Sequence, residues 1–107
     1  MKNSEYRLSR LKHMLEEKKK SGKLYVTWKL NNEQLEFAQN IGYNVVPYLY
    51  EIHTRPMQIL SGKLVKEIHY AAMRGQKSIV RTLNKSEDQF LSKVGVKHRV
   101  LKYKIYL

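Results

Sequence analysis

The densest apolar and aromatic stretch of the chain lies near its middle, at residues 43–52. Gly42 precedes this stretch and Pro56 follows it after a short polar turn, so it forms one element around which the remainder must pack. Its β-branched and aromatic residues favour a strand over residues 44–53. A helix with Pro47 in its first turn is the alternative, because proline is tolerated at that position.

Two other segments alternate apolar and polar residues as half-buried strands do. In residues 23–30, one face would carry Leu24, Val26, Trp28 and Leu30. In residues 97–106, Arg99 would share a face with Leu101, Tyr103 and Ile105. This alternation predicts that Trp28 and Leu101 are buried in one core. Tyr25 falls on the polar face between lysines, where it is the better candidate for stacking on a nucleic-acid base.

Helical spacing of apolar residues predicts helices between the strands. The segments are residues 3–20, 31–41, 57–73 and 86–94, and a shorter helix between the last two holds Ile79, Val80 and Leu83. Asn31 with Gln34 has the spacing of a capping box, and Ser86 with Gln89 has the same spacing. Glycines follow four of the segments, as is typical of helix ends.

These elements predict a single basic α+β domain over residues 1–107, with about three mostly antiparallel strands and helices packed against them. No internal repeat is apparent. The basic segment at residues 97–106, coming after helices, would suit the wing of a winged-helix domain, by analogy of fold only.

The charge of the chain is its strongest indication of function. Lys and Arg number 21 against 9 Asp and Glu, which gives a formal net charge of +12. The excess is concentrated in residues 55–107, with 12 basic and 3 acidic residues. Such a field attracts polyanions, so nucleic acid is the expected partner, with DNA and RNA both open. An adaptor or inhibitor that binds an acidic protein surface is an alternative.

Basic residues of the second half provide the candidate nucleic-acid site. On a continuous helix, Lys77, Arg81 and Lys85 would form a stripe able to lie against phosphates, with Arg74 preceding it. The C-terminal strand would add further basic side chains, namely Lys97, Arg99, Lys102 and Lys104. We expect the two groups to lie on one side of the fold.

The sequence favours binding over catalysis. Its four histidines lack the spacing of a helical metal site, it has no glycine-rich phosphate loop, and it contains no cysteine, so we expect no metal and no cofactor. A small metal-independent ribonuclease of toxin type is the enzymatic alternative. Its candidate residues would be His53, His69, His98, Arg99 and Tyr103.

The longest apolar run falls well short of the roughly 20 residues that span a bilayer, so we expect no membrane partner. The first residues contain no apolar signal segment, and the lack of cysteine suits a reducing compartment. We therefore expect a cytoplasmic protein.

Overall fold

Helices and strands alternate along the whole of the described chain. The computed structural model describes residues 2–107, with side chains from residue 5 onward. The elements are α1 (Lys2–Lys20), β1 (Tyr25–Trp28), α2 (Asn32–Asn40), β2 (Asn44–His53), α3 (Lys63–Met73), β3 (Ser78–Thr82), α4 (Lys85–Lys93) and β4 (His98–Tyr106). The strands form an antiparallel sheet in the order β1-β4-β2-β3. The predicted α+β class is confirmed, with four strands instead of three.

The central apolar stretch is the long strand β2. Its buried positions change parity along the strand, from Val45 near one end to Tyr50 and Ile52 near the other. The change falls around Pro47, which cannot donate a ladder hydrogen bond and is expected at an irregular place in a strand. The two ends of β2 therefore bury residues of opposite parity.

All four helices end in the same way. At α3, the Gly75 N–H donates to Ala72 O at 3.0 Å and the Gln76 N–H donates to Ala71 O at 2.9 Å, which is the Schellman pattern. The same pair of bonds closes α1, α2 and α4. Gly75 has φ +82°, a conformation that glycine adopts without the cost of a Cβ clash. The helix ends predicted from the glycines are confirmed.

Two helices begin with capping boxes. The Asn31 side chain accepts the Gln34 N–H at 2.8 Å, and the Gln34 side chain accepts the Asn31 N–H at 2.9 Å. Asn84 and Glu87 form the same reciprocal pair at 2.8 and 2.9 Å. The box predicted at Asn31 is confirmed, whereas the box predicted at Ser86 is wrong because α4 begins at Lys85, with Asn84 as its N-cap.

The chain contains an internal repeat that motif spacing did not reveal. The segments α1-β1-α2-β2 and α3-β3-α4-β4 have the same element order, and most of their equivalent element ends are 53 residues apart. Equivalent pairs include the N-caps Asn31 and Asn84, the buried Leu30 and Leu83, and the buried Ile52 and Ile105. Strand pairing repeats as well, because Val26 lies opposite Ile105 and Ile79 lies opposite Ile52.

The chain divides into two compact units that do not coincide with the repeats. The first unit contains residues 1–47 and 102–107, and the second contains residues 48–101. Each unit therefore combines most of one repeat with the end of the other repeat's long strand. In the first unit β1 pairs with the end of β4, and in the second β3 pairs with the end of β2.

Each unit has its own hydrophobic core, built from equivalent positions. In the first unit Ile105 packs with residues of α1 and α2, including Leu11, Leu15 and Ala38. In the second unit Ile52 packs with residues of α3 and α4, including Leu64, Ile68 and Leu91.

The core predicted around Trp28 and Leu101 is wrong. Trp28 is 47% exposed at the end of β1, and Leu101 is only half-buried. Alternation placed Val26 and Trp28 on the same buried face of β1. The strand ends at Trp28, however, so only Val26 packs against the core. In β4 the parity of the inward positions changes between Val100 and Tyr103, and this change exposes Arg99.

The short helix predicted around Ile79, Val80 and Leu83 is also wrong, because residues 78–82 form β3. Three of the five residues of β3 are β-branched, and this preference outweighs the helical spacing of the three apolar residues. No two helices follow one another directly in the described chain, so the helix-turn-helix part of a winged-helix domain is not present there. The helix predicted from residue 57 begins instead at Lys63, after Gly62 at φ +84°.

Equivalent core positions should matter equally for stability. Leu15→Ala and Ile68→Ala should each lower the free energy of unfolding by about 2–5 kcal/mol, because each removes a fully buried side chain and leaves a cavity. Leu24→Ala, at a residue 81% exposed, is the control and should stay within about 0.5 kcal/mol of wild type. Chemical denaturation measures all three, and a Leu15→Ala protein as stable as the control would contradict the first core.

Candidate nucleic-acid interface

The basic residues predicted to form a helical stripe lie on three different elements of the second unit. Arg74 is the C-cap of α3, Lys77 precedes β3, Arg81 lies within β3 and Lys85 opens α4. Arg74 donates through Nη2 to Gln76 Oε1 at 2.9 Å. The predicted stripe is therefore wrong, because its residues do not share a helix.

Arg81 is engaged within the protein. Its Nη1 lies 3.0 Å from Glu67 Oε1 on α3, and its Nη2 lies 3.3 Å from Glu87 Oε2 on α4. Its Nε donates to Thr82 O at 3.1 Å, and its side chain is only 24% exposed. Two carboxylates already balance this guanidinium, so Arg81 offers little charge to a phosphate.

The basic residues predicted on the C-terminal strand divide between the units. Lys97 and Arg99 belong to the second unit, whereas Lys102 and Lys104 belong to the first. Arg99 donates through Nε to Glu51 Oε1 at 2.9 Å, although most of its side chain remains in water. Lys97 and Lys102 are exposed and make no ion pair among the described residues.

Lys104 joins two exposed tyrosines on one face of the sheet. Its Nζ lies 4.1 Å from the ring centroid of Tyr25 and 5.2 Å from that of Tyr106. The two rings lie 6.5 Å apart, on residues directly opposite each other in β1 and β4. With Lys102, these residues form what we call the tyrosine–lysine face. Tyr25 thus has the exposure that the alternation of its strand predicted.

The surroundings of this face are strongly basic. Lys23 and Lys29 flank β1 in sequence, and both are exposed. Neither residues 23–30 nor residues 102–107 contain a carboxylate side chain. The equivalents of Tyr25, Lys104 and Tyr106 in the second unit are Ser78, Glu51 and His53. The tyrosine–lysine face is therefore specific to the first unit.

Charge is shared equally between the units, although it is unequal along the sequence. The first unit has 11 basic and 5 acidic residues and the second has 10 and 4, so each carries a formal +6. The exchange of strand ends brings Lys102 and Lys104 into the first unit and places Glu51 in the second. The excess of basic residues in the second half of the sequence is therefore not concentrated in one structural unit.

A cleft in the first unit contains Trp28, a residue that sequence reasoning assigned to the core. The cleft has a volume of about 470 Å³, and Arg7 and Arg10 of α1 line it together with Trp28. Asn31 and Gln34, at the start of α2, complete its polar wall. A comparison of the two repeats would have found this site, because position 28 holds tryptophan where the second repeat holds Arg81.

Two of the three histidines proposed for a ribonuclease, His69 and His98, have separate local partners. His98 pairs with Asp88 through Nε2 and with Val96 O through Nδ1, which ties β4 to α4. His69 Nδ1 accepts the Met57 N–H at 2.9 Å. Within the described residues, no hydrogen bond, ion pair or ring contact joins any of these histidines to another.

Comparison with other proteins adds no information about the site, because no protein-family model, curated protein or solved structure matches the chain. Among the residues that the structure describes, no cluster of three His, Asp or Glu side chains could hold a metal ion. No helix in the same range is both long and apolar enough to cross a membrane.

Arg81 and Lys102 should respond differently to charge reversal. Arg81→Glu places a third carboxylate beside Glu67 and Glu87, so we expect a loss of about 1 kcal/mol of stability, limited by the solvent exposure of Glu67. Lys102→Glu makes the same charge change at an exposed position and should melt like wild type.

Thermal melts at low salt and in about 1 M NaCl test this, because salt screens repulsion between carboxylates. The loss in Arg81→Glu should shrink in high salt. An Arg81→Glu protein as stable as Lys102→Glu at low salt would mean that the Arg81 ion pairs contribute nothing measurable.

Proposed function

We propose that the protein binds single-stranded nucleic acid without catalysing a reaction, and that the tyrosine–lysine face of the first unit is its binding surface. The observation that carries this proposal is the placement of the Lys104 ammonium against two exposed tyrosine rings. Tyr25 and Tyr106 are 48% and 42% exposed, so both rings can be reached from solvent.

Such a face offers the two contacts that an unpaired strand needs. Exposed aromatic rings stack on any of the bases, and lysines beside the rings neutralise the phosphates of the same strand. The Lys104 ammonium occupies a position against Tyr25 that a base would take. On binding, a base would replace it there, and the ammonium would turn to a phosphate.

Unpaired strands fit this face better than duplexes do. In a duplex the bases are stacked on each other, so tyrosine rings on an open sheet cannot stack on the faces of paired bases. Both DNA and RNA strands present bases and phosphates to the face, so both belong in the test.

The histidine geometry supports binding over RNA cleavage. A metal-independent ribonuclease needs an acid and a base within reach of one phosphate. His98 is held between Asp88 and a backbone carbonyl, and His69 accepts a backbone N–H from Met57, so these two histidines do not form an acid–base pair with each other.

Removing two lysines from the face should change the salt dependence of binding. For the double variant Lys102→Ala/Lys104→Ala, we expect the slope of log K against log salt to fall in magnitude by about 1.4, because each phosphate contact on a single strand contributes about 0.7. The measurement is a titration of labelled DNA and RNA strands and of duplex DNA at two or more salt concentrations.

The control is Lys85→Ala/Lys93→Ala, which removes the same charge from α4 in the second unit. Equal losses in the two double variants would show that net charge alone drives binding. If wild type binds no nucleic acid at about 50 mM salt, the proposal fails and an acidic protein surface becomes the leading partner.

Replacing a ring should weaken binding without altering the salt slope. Tyr25→Ala removes a stacking contact worth about 1–3 kcal/mol per base, so the dissociation constant for a single strand should rise by about fivefold or more. Tyr70→Ala serves as control, since Tyr70 is equally exposed but lies on α3 of the second unit. Equal affinities for the two variants would remove stacking from the proposal and leave only phosphate contacts.

A further inference from the structure

The cleft around Trp28 combines an exposed aromatic ring with two arginines. It opens between α1, β1 and the start of α2, all within the first unit. Its volume of about 470 Å³ lies within the range of roughly 300–1,000 Å³ typical of small-molecule sites. Trp28 leaves about half of its surface in water, although indole is the largest side chain available for burial.

At the equivalent place in the second unit the structure has an ion-paired cluster instead of an aromatic ring. The second unit's equivalents of Trp28, Met14 and Gln34 are Arg81, Glu67 and Glu87, which form the ion-paired cluster that links β3 to α3 and α4. There the guanidinium pairs with one carboxylate on each of the two helices. In the first unit the same three positions contain no charge, and arginines line the cleft from α1 instead.

We infer that the Trp28 cleft binds a mononucleotide, with the base against the indole and the phosphate against Arg7 and Arg10. Tryptophan provides the largest aromatic surface for stacking, and arginine provides paired N–H donors that match phosphate oxygens. The cleft thus offers an aromatic ring for the base and guanidinium groups for the phosphate.

Polar groups at the start of α2 can read the base or the sugar. The capping box uses the side-chain oxygens of Asn31 and Gln34 as acceptors. Their amide nitrogens make no hydrogen bond within the described part of the chain, so these nitrogens remain available as donors to a ligand in the cleft. The positive end of the α2 dipole also favours an anion near this wall.

This site goes beyond the polynucleotide surface and uses none of its residues. Trp28 has the opposite strand parity from Tyr25 and Thr27, so alternation places it on the other face of the sheet from the tyrosine–lysine face. A failure of one site therefore leaves the other testable.

Trp28 is the only tryptophan of the chain, so its fluorescence reports directly on the cleft. Adenosine monophosphate and uridine monophosphate should each quench it in a saturable titration of the full chain. Adenosine alone and inorganic phosphate alone should bind about tenfold more weakly or not at all, because each lacks half of the contacts. Quenching by adenosine that equals quenching by its monophosphate would overturn the role of the arginines.

Charge removal at the cleft gives the second arm of the test. Arg7→Gln/Arg10→Gln retains Trp28 and should weaken monophosphate binding by about tenfold or more, because charge-assisted hydrogen bonds are lost. Lys63→Gln/Lys66→Gln removes the same charge from α3 and should bind like wild type. Lys102→Ala/Lys104→Ala should also bind like wild type, which separates this site from the polynucleotide surface.

A transplant of the second unit's cluster gives the third arm. The triple variant Met14→Glu/Trp28→Arg/Gln34→Glu recreates in the first unit the ion pairs that the second unit already accommodates. It should fold and show no heat of monophosphate binding in calorimetry. Wild-type heat of binding in the folded triple variant would overturn the inference. If it does not fold, the arginine variant decides, and unchanged affinity there overturns the inference equally.

Discussion

The structure depends on the exchange of strand ends between two copies of one αβαβ repeat. Ile52 belongs to the first repeat and packs in the core with α3 and α4, whereas Ile105 belongs to the second and packs with α1 and α2. Both side chains are fully buried. Neither repeat can complete a core alone, because the strand that pairs with its own short strand comes from the other. Each core therefore requires both the helices of one repeat and the strand end of the other repeat.

Local signals in the sequence predicted much of this fold. Glycines after the periodic segments identified the helix ends, and the Asn31 capping box was evident from its spacing. The central stretch is a strand, as its β-branched and aromatic content indicated. Residues 78–82 form a strand although the spacing of Ile79, Val80 and Leu83 also fits one turn of a helix. So short an apolar pattern is a weak helix signal when three of the five residues are β-branched.

The candidate sites were harder to predict because they depend on contacts distant in sequence. The sequence showed Lys104 and Tyr25 as promising residues but could not show that β1 and β4 pair and bring them within 4.1 Å. Arg81 looked free for the same reason, since Glu67 and Glu87 are neighbours only in the folded chain. Trp28 looked buried because alternation ignores where a strand ends. The repeat would have corrected the last assignment, but few residues are identical between its copies, so composition and motif spacing did not reveal it.

The connection at residues 54–62 has no helix or strand and joins the two repeats. Cleavage of one peptide bond there would leave two fragments of similar length. Each fragment would still carry the strand end that the other fragment's core requires. The nicked protein should therefore hold together as a noncovalent heterodimer whose dissociation and unfolding are one event, and its melting temperature should depend on concentration.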